Sequence, residues 1–308
     1  MNSKILIAGG TGNLGGRIIR SLLIKGVEVH AIVRLNTPSD KIKGLEEKGV
    51  KVFKVNMMDI NEVSAVCAGA SCVISALAGL GDVIIDMQKV LLDAAIAAGV
   101  PRFIPSDYSL DFTKFSDGEN RNLDLRREFH SYLDKTNISA TTIFNGAFAD
   151  MLTDQIPMIL FKPKLILYWG NADHKMAFTT MDNTADFTVN AALDGNSPRY
   201  LHIAGDQISA REIKAALEQL TSNKFHLFRT GGKALLSTII KIARKISPSE
   251  NELYPAWQGM QYMRNMIDER SNLSSTDNDR YPNMVWTSVK ALLTAHVKNL
   301  KQHQNIEI

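Results

Sequence analysis

The sequence predicts a parallel, doubly wound α/β sheet followed by a smaller, mostly helical C-terminal domain. Three observations carry this. Lys4 to Ala8 is a short apolar run that reads as a buried strand, and a glycine-rich turn and a helix follow it directly. Strand and helix patterns then alternate as far as Phe144 without a hairpin signal, the order that parallel pairing requires. Beyond Asp150 prolines interrupt the alternation and helical patterns dominate.

The first helix carries Leu14, Ile18, Ile19, Leu22 and Leu23 on one face and stops at Gly26. Val27 to Val33 is the second strand. Thr37-Pro38-Ser39-Asp40 opens a helix that Gly49 closes, and Val50 to Val55 is the third strand. Asp59 to Cys67 is a short helix and Ser71 to Ala76 the fourth strand. Gly81 to Ala98 has apolar residues at helical spacing and ends at Gly99-Val100-Pro101. Arg102 to Ser106 is the fifth strand, 117 to 135 a helix, and Ile138 to Phe144 a sixth strand rich in β-branched residues. Pro157, Pro163 and Gly170 break up the next stretch around a strand at Lys164 to Trp169. Met181 to Leu193 is helical and Tyr200 to Ile203 a short strand. Ser209 with Glu212 forms the Ser-x-x-Glu start of another helix. From Phe225 onward the pattern is mostly helical, over Lys233 to Lys245, Glu252 to Asp268 and Thr287 to Lys301. Residues 1–150 are expected to form a Rossmann domain that binds the nucleotide, with 177–195 returning to it. Residues 151–176 and 196–308 are expected to form a smaller substrate-binding domain.

The 308 residues carry 35 Lys and Arg against 32 Asp and Glu, dispersed along the chain. That balance makes no case for nucleic-acid binding. Cys67 and Cys72 are the only cysteines, too few for a disulfide scaffold and without the partners of a zinc site. The opening strand leaves no room for a signal peptide, and the apolar region from Ala68 to Ile85 is broken by glycines and Asp82. A cytoplasmic protein that neither holds a metal nor spans a membrane is expected.

Gly9, Gly12 and Gly15 recur every third residue between strand and helix. Such a turn brings backbone N–H groups and a helix N-terminus against a pyrophosphate, with Thr11, Asn13 and Leu14 completing the cradle. The residue that ends the second strand faces the adenosine ribose. An acid there suits the 2′-hydroxyl of NAD, and a cation suits the 2′-phosphate of NADP. Arg34 holds that position with no Asp or Glu beside it, and Lys41 and Lys43 add charge in the next helix. NADP is therefore favoured over a merely solvated arginine. Asp59, after the third strand, suits either the adenine or a helix cap. Leu77 and Ala78 follow the fourth strand, and Ser106 and Tyr108 the fifth, at the carboxyl ends where open α/β sheets bind ligands. A tyrosine hydroxyl there can bond a substrate carbonyl or give up its proton, unless the ring simply packs in the turn. Met260, Met263 and Ile267 share helical spacing, suited to an adaptable apolar pocket or to core packing. Trp169, Trp257 and Tyr262 are candidates to border a substrate cleft.

The chain resembles the NmrA-like, isoflavone-reductase-like branch of the atypical short-chain dehydrogenases. The matching residues are Gly9 to Gly15, Val33-Arg34, Gln88, Gly99 to Asp107, Arg126-Arg127, Asn145 with Phe148, and Tyr168 to Ala172 leading to Asp182. The resemblance implies NADPH on the glycine loop, with Arg34 and Lys43 on the 2′-phosphate, and a substrate cleft bounded by Asn145, Phe148 and Met151. It also implies a catalytic lysine about one turn before Arg126. Asn122 or Asp124 stands there instead, and Arg121 is too basic to donate a proton at neutral pH. The Tyr-x-x-x-Lys pair of other short-chain dehydrogenases is absent as well.

Two functions follow. One is an NADPH-dependent reductase of a small, apolar or aromatic carbonyl, quinone or conjugated substrate. Its proton donor would be atypical: Tyr108, with Ser106 beside it, or His130, one helical turn beyond Arg126 and Arg127. The other is a non-catalytic NADP-binding redox sensor that engages a protein partner.

Overall fold

The structure, a computed structural model, describes residues 3–153 and 156–304. The first part of the chain runs β1 (Lys4–Ala8), α1 (Asn13–Ile24), β2 (Glu28–Arg34), α2 (Ser39–Glu46), β3 (Lys51–Val55), α3 (Ile60–Cys67), β4 (Cys72–Ser75), α4 (Gln88–Ala97), β5 (Arg102–Ile104), α5 (Arg121–Leu133) and β6 (Ser139–Ala140). It continues through β7 (Thr142–Phe144), β8 (Ala147–Phe148), β9 (Ile159–Leu160), β10 (Leu165–Trp169), β11 (Met176–Thr179), α6 (Met181–Leu193), β12 (Tyr200–His202) and β13 (Asp206–Ile208). The last elements are α7 (Ala210–Thr221), β14 (His226–Gly231), α8 (Lys233–Ile246), α9 (Ala256–Met266) and α10 (Val289–Gln304). Two compact units result. One comprises Met1–Tyr108, Arg121–Phe144 and Thr184–Leu201; the other comprises Ser109–Asn120, Asn145–Asn183 and His202–Ile308.

The first unit is built on a six-stranded sheet in the order β3-β2-β1-β4-β5-β6. All its pairings are parallel, and the order is that of a Rossmann sheet. Its core packs Leu6, Val73 and Phe103 of the strands against Val63, Leu91, Leu92 and Phe129 of the helices. Cys67 and Cys72 are free and buried, and burial pushes both thiols up to about 12.

Two elements here differ from expectation. The helix expected over Gly81 to Ala98 opens with a π-helical turn, Asp82–Met87, before α4. Buried Gln88 sits at the junction: its Nε2 donates to the Ile84 carbonyl at 3.1 Å, and its Oε1 accepts from the Ser106 N–H at 2.9 Å. The sixth strand splits in two around Thr141. The Thr141 N–H donates to the Phe103 carbonyl at 3.0 Å, and the Thr142 N–H to the Arg199 carbonyl at 2.8 Å. Buried Arg102 draws the 195–199 segment in, donating to the carbonyls of Gly195 (2.9 Å) and Ser197 (3.0 Å) and to the Thr141 hydroxyl (3.1 Å).

The second unit holds two three-stranded sheets, β13-β11-β8 and β14-β10-β9, with α7 to α10. Helix α7 starts as expected: Ser209 Oγ accepts from the Glu212 N–H, and Glu212 Oε2 from the Ser209 N–H at 2.8 Å. Strand β14 lies in a stretch expected to be helical. After Ser109–Asn120 the unit resumes at Asn145, where β8 pairs with β11. Gly146 permits that pairing: it has φ +68, and a Cβ on it would stand 2.4 Å from the Ala177 carbonyl oxygen. Of the 177–195 stretch, the part from Thr184 onward belongs to the first unit, and 109–120 belongs to the second.

Candidate functional site

The turn between β1 and α1 is shaped by close backbone approach. Gly9 has φ +87, and a Cβ on it would lie 2.3 Å from the Ala76 carbonyl oxygen. A Cβ on Gly15 would lie 2.2 Å from the Gly9 carbonyl oxygen. The Gly12 N–H closes the turn on the Gly9 carbonyl at 3.0 Å. Gly12 is the N-cap of α1 and no side chain caps the helix, so the first turn presents its N–H groups to an external acceptor. Thr11 and Asn13 are exposed and Leu14 half-buried; Asn13 Oδ1 accepts from Arg17 Nε at 3.0 Å. These features fit a dinucleotide pyrophosphate lying against the turn.

Parallel pairing sets Ala8 opposite Ile32, so Arg34 emerges at the end of β2 level with the start of the turn. Arg34 and Lys43 are exposed, and neither forms an ion pair among the described residues. Asp59 is a cap: its carboxylate accepts from the Asn61 and Glu62 N–H groups at the start of α3. Leu77 is half-buried and Ala78 exposed after β4.

The three residues considered for catalysis are all buried. Ser106 is buried, and its hydroxyl donates to the Leu77 carbonyl at 2.6 Å. Tyr108 is only 8% exposed. Burial pushes its phenol well above the ordinary value. The nearby Thr188 hydroxyl is committed to the Thr184 carbonyl at 2.7 Å. Tyr108 packs in the core. His130 is likewise buried, 2.6 Å from the Asp107 carboxylate through Nε2. Arg199 Nη2 lies 3.0 Å from its Nδ1. A guanidinium only donates, so Nδ1 accepts and the ring proton sits on Nε2, aimed at Asp107. Thr142 joins the same network, donating to Asp107 at 2.8 Å and accepting from Arg199 at 2.7 Å. Burial pushes the Asp107 carboxyl up, but His130, Arg126 and the hydrogen bonds outweigh it and hold the acid below its ordinary value. His130 is therefore a structural residue of the first unit.

The positions where resemblance implies a lysine offer no replacement acid. Asn122 is buried, accepting from Arg121 Nε at 3.1 Å on its side chain and from Arg126 at 2.7 Å on its carbonyl. Asp124 is paired with Arg127.

In the second unit, Asn145 is fully buried, and both polar atoms of its side chain lack a hydrogen-bond partner among the described residues. Its backbone is fixed: the N–H donates to the Ser109 carbonyl at 3.1 Å and the carbonyl accepts from the Thr179 hydroxyl at 2.7 Å. Phe148 and Met151 are half-buried on β8 and the turn after it. Trp169 lines a small apolar recess with Met158, Leu167, Met176, Met263 and Ile267, and Asn171 and His174 are among its polar walls. The spacing of Met263 and Ile267 had suggested such a pocket. Met158 and Met176 carry no periodic signal, since one precedes a two-residue strand and the other opens a four-residue one. Half-buried Tyr262 is not among the lining residues. Among the described residues no cluster of His, Cys, Asp and Glu is placed to hold a metal, and no helix is long and apolar enough to cross a membrane.

A model of the NmrA-like family matches residues 1–276. The chain belongs to the NmrA-like family. Among curated proteins, this NmrA-like chain is 24% identical to the bifunctional pinoresinol-lariciresinol reductase of Forsythia intermedia, over 96% of the chain and 99% of that protein. It is 29% identical to the isoflavone reductase homolog IRL of Zea mays, over 77% of the chain and 80% of that protein. Among solved structures, AtPrR2 with NADP+ and (+)pinoresinol superposes with a TM-score of 0.83 at 19% identity, covering 96% of this chain and 99% of that one.

Proposed function

We propose that this NmrA-like protein binds NADPH and reduces a small apolar or aromatic carbonyl, quinone or conjugated compound. The observation that carries the reading is the glycine turn with its uncapped helix, level with an exposed Arg34 that has no carboxylate partner among the described residues. In this reading the first-turn N–H groups of α1 hold the pyrophosphate, and Arg34 and Lys43 hold the 2′-phosphate. Relatives named as reductases support the activity. When bound, NADPH supplies the electron pair as hydride. Asn145 is assigned to the ligand, because a buried amide with neither end bonded costs about 1–3 kcal/mol per group, which a ligand's own donor and acceptor would offset.

The buried positions of Tyr108 and His130 narrow the substrate. An isolated ketone becomes a strongly basic alkoxide unless an acid protonates it. A quinone or conjugated carbonyl becomes a delocalised anion that takes its proton from water. We therefore favour the latter class.

The same burial favours a second reading, the redox sensor that binds NADP without turnover. The test is NADPH consumption with a panel of quinones, conjugated carbonyls and aromatic ketones, beside direct measurement of cofactor affinity. Turnover with quinones or conjugated carbonyls supports the reductase. Tight NADPH binding with no turnover across the panel replaces it with the sensor.

A further inference from the structure

Helix α8 (Lys233–Ile246) buries Leu236 and Ile240 in the second unit. A separate apolar row runs its full length through Leu235, Ile239, Ile242 and Ile246. Leu235 is 50% exposed, Ile242 51% and Ile246 78%, and Ile239 is half-buried. Their spacing of four, three and four residues keeps all of them within about 60° around the helix axis. So narrow a row at heptad spacing is the seam onto which another helix packs. A helix that lies on a lipid surface presents a wider apolar face.

Charge says what kind of helix fits. The helix carries Lys233, Lys241, Arg244 and Lys245 and no acidic residue. Lys233 is paired with Asp268, and Arg244 with Glu250 at 3.6 Å. Lys241 and Lys245 are exposed and form no ion pair among the described residues. They lie to one side of the row, about 90–130° around the helix. Two copies of α8 laid together would face lysines with no carboxylate to meet them, so a second copy of this chain is disfavoured.

We propose that α8 is the docking face for an acidic amphipathic helix of a partner protein. The apolar row of that helix packs between the turns of α8, and its carboxylates meet Lys241 and Lys245. The proposal concerns the second unit alone and holds for a reductase and for a sensor.

The test uses the full chain and a labelled synthetic helix of three heptads, with Leu at the seam and Glu on both flanks. A control peptide carries Lys in place of Glu. Fluorescence anisotropy should show binding of the Glu peptide and none of the Lys peptide. Ile242→Glu should weaken binding by about tenfold or more, and Lys241→Glu with Lys245→Glu by about fivefold. All three changes are at exposed positions, and an unchanged thermal midpoint confirms that each variant folds. Failure of the Glu peptide to bind, or equal binding of both peptides, overturns the proposal. So does co-sedimentation with phosphatidylserine vesicles that Ile242→Glu abolishes, or a dimer that Ile242→Glu dissolves.

Discussion

A single methyl group at Gly15 would be enough to open the nucleotide turn. Its Cβ would fall 2.2 Å from a backbone oxygen that cannot swing away, while one on Gly12 would stand at 3.3 Å from the same atom. Gly15→Ala should therefore weaken NADPH by more than about a hundredfold and lower stability by about 2 kcal/mol or more. Gly12→Ala should cost much less; cofactor titration and thermal melting compare the two. Arg34→Ala should weaken NADPH at least about tenfold and leave NADH nearly unchanged. Equal losses for both cofactors would remove the 2′-phosphate assignment. In the core the expectations reverse. Tyr108→Phe should leave turnover unchanged and shift stability by no more than about 1 kcal/mol. Asp107→Asn removes the carboxylate that His130 and Thr142 share, and should cost about 3 kcal/mol in urea unfolding. The shape of the glycine turn was legible because it rests on local spacing. Tyr108 and His130 were not, since a residue just past a strand end can turn outward to a ligand or inward to the core. Long-range partners such as Arg199, beside His130, decide which.

Among the elements, the segment before α5 is tied down by charge. Glu119 bonds Arg270 through both carboxylate oxygens at 2.8 and 3.0 Å, and Arg270 also grips Asp268 at 2.9 Å. The hydrogen bonds from Arg270 hold the Glu119 acid down at about 2, against an ordinary 4.5. A lowered folded-state value means the stabilisation is complete above the ordinary value and is lost as pH falls from there to about 2. The urea midpoint should decline over that window, and Glu119→Gln should flatten the decline by about 1 kcal/mol after allowance for solvent screening. Local pattern located the parallel strands and the capping box of α7 because each is written within a few adjacent residues. It missed β14 and the break at Thr141. Strand β14 exists by pairing with β10, and the break exists because Arg102 brings a distant loop beside the strand. Neither partner is adjacent in sequence.

For the whole molecule, the Rossmann order and membership of the NmrA-like family agree with the alternation of the first six strands. The six-stranded core keeps that order even though its sixth strand pairs with β5 through only two residues. Where the resemblance implies a lysine, Asn122 and Asp124 are engaged with Arg121, Arg126 and Arg127.

The interleaved course of the chain has a practical consequence for recombination. The chain leaves the first unit at Tyr108, at Phe144 and at Leu201, and returns to it at Arg121 and at Thr184. No single cut in the gene frees either unit. A chimera that borrows the second unit from a related reductase must replace three separate stretches together, and a one-crossover hybrid would join mismatched halves of both.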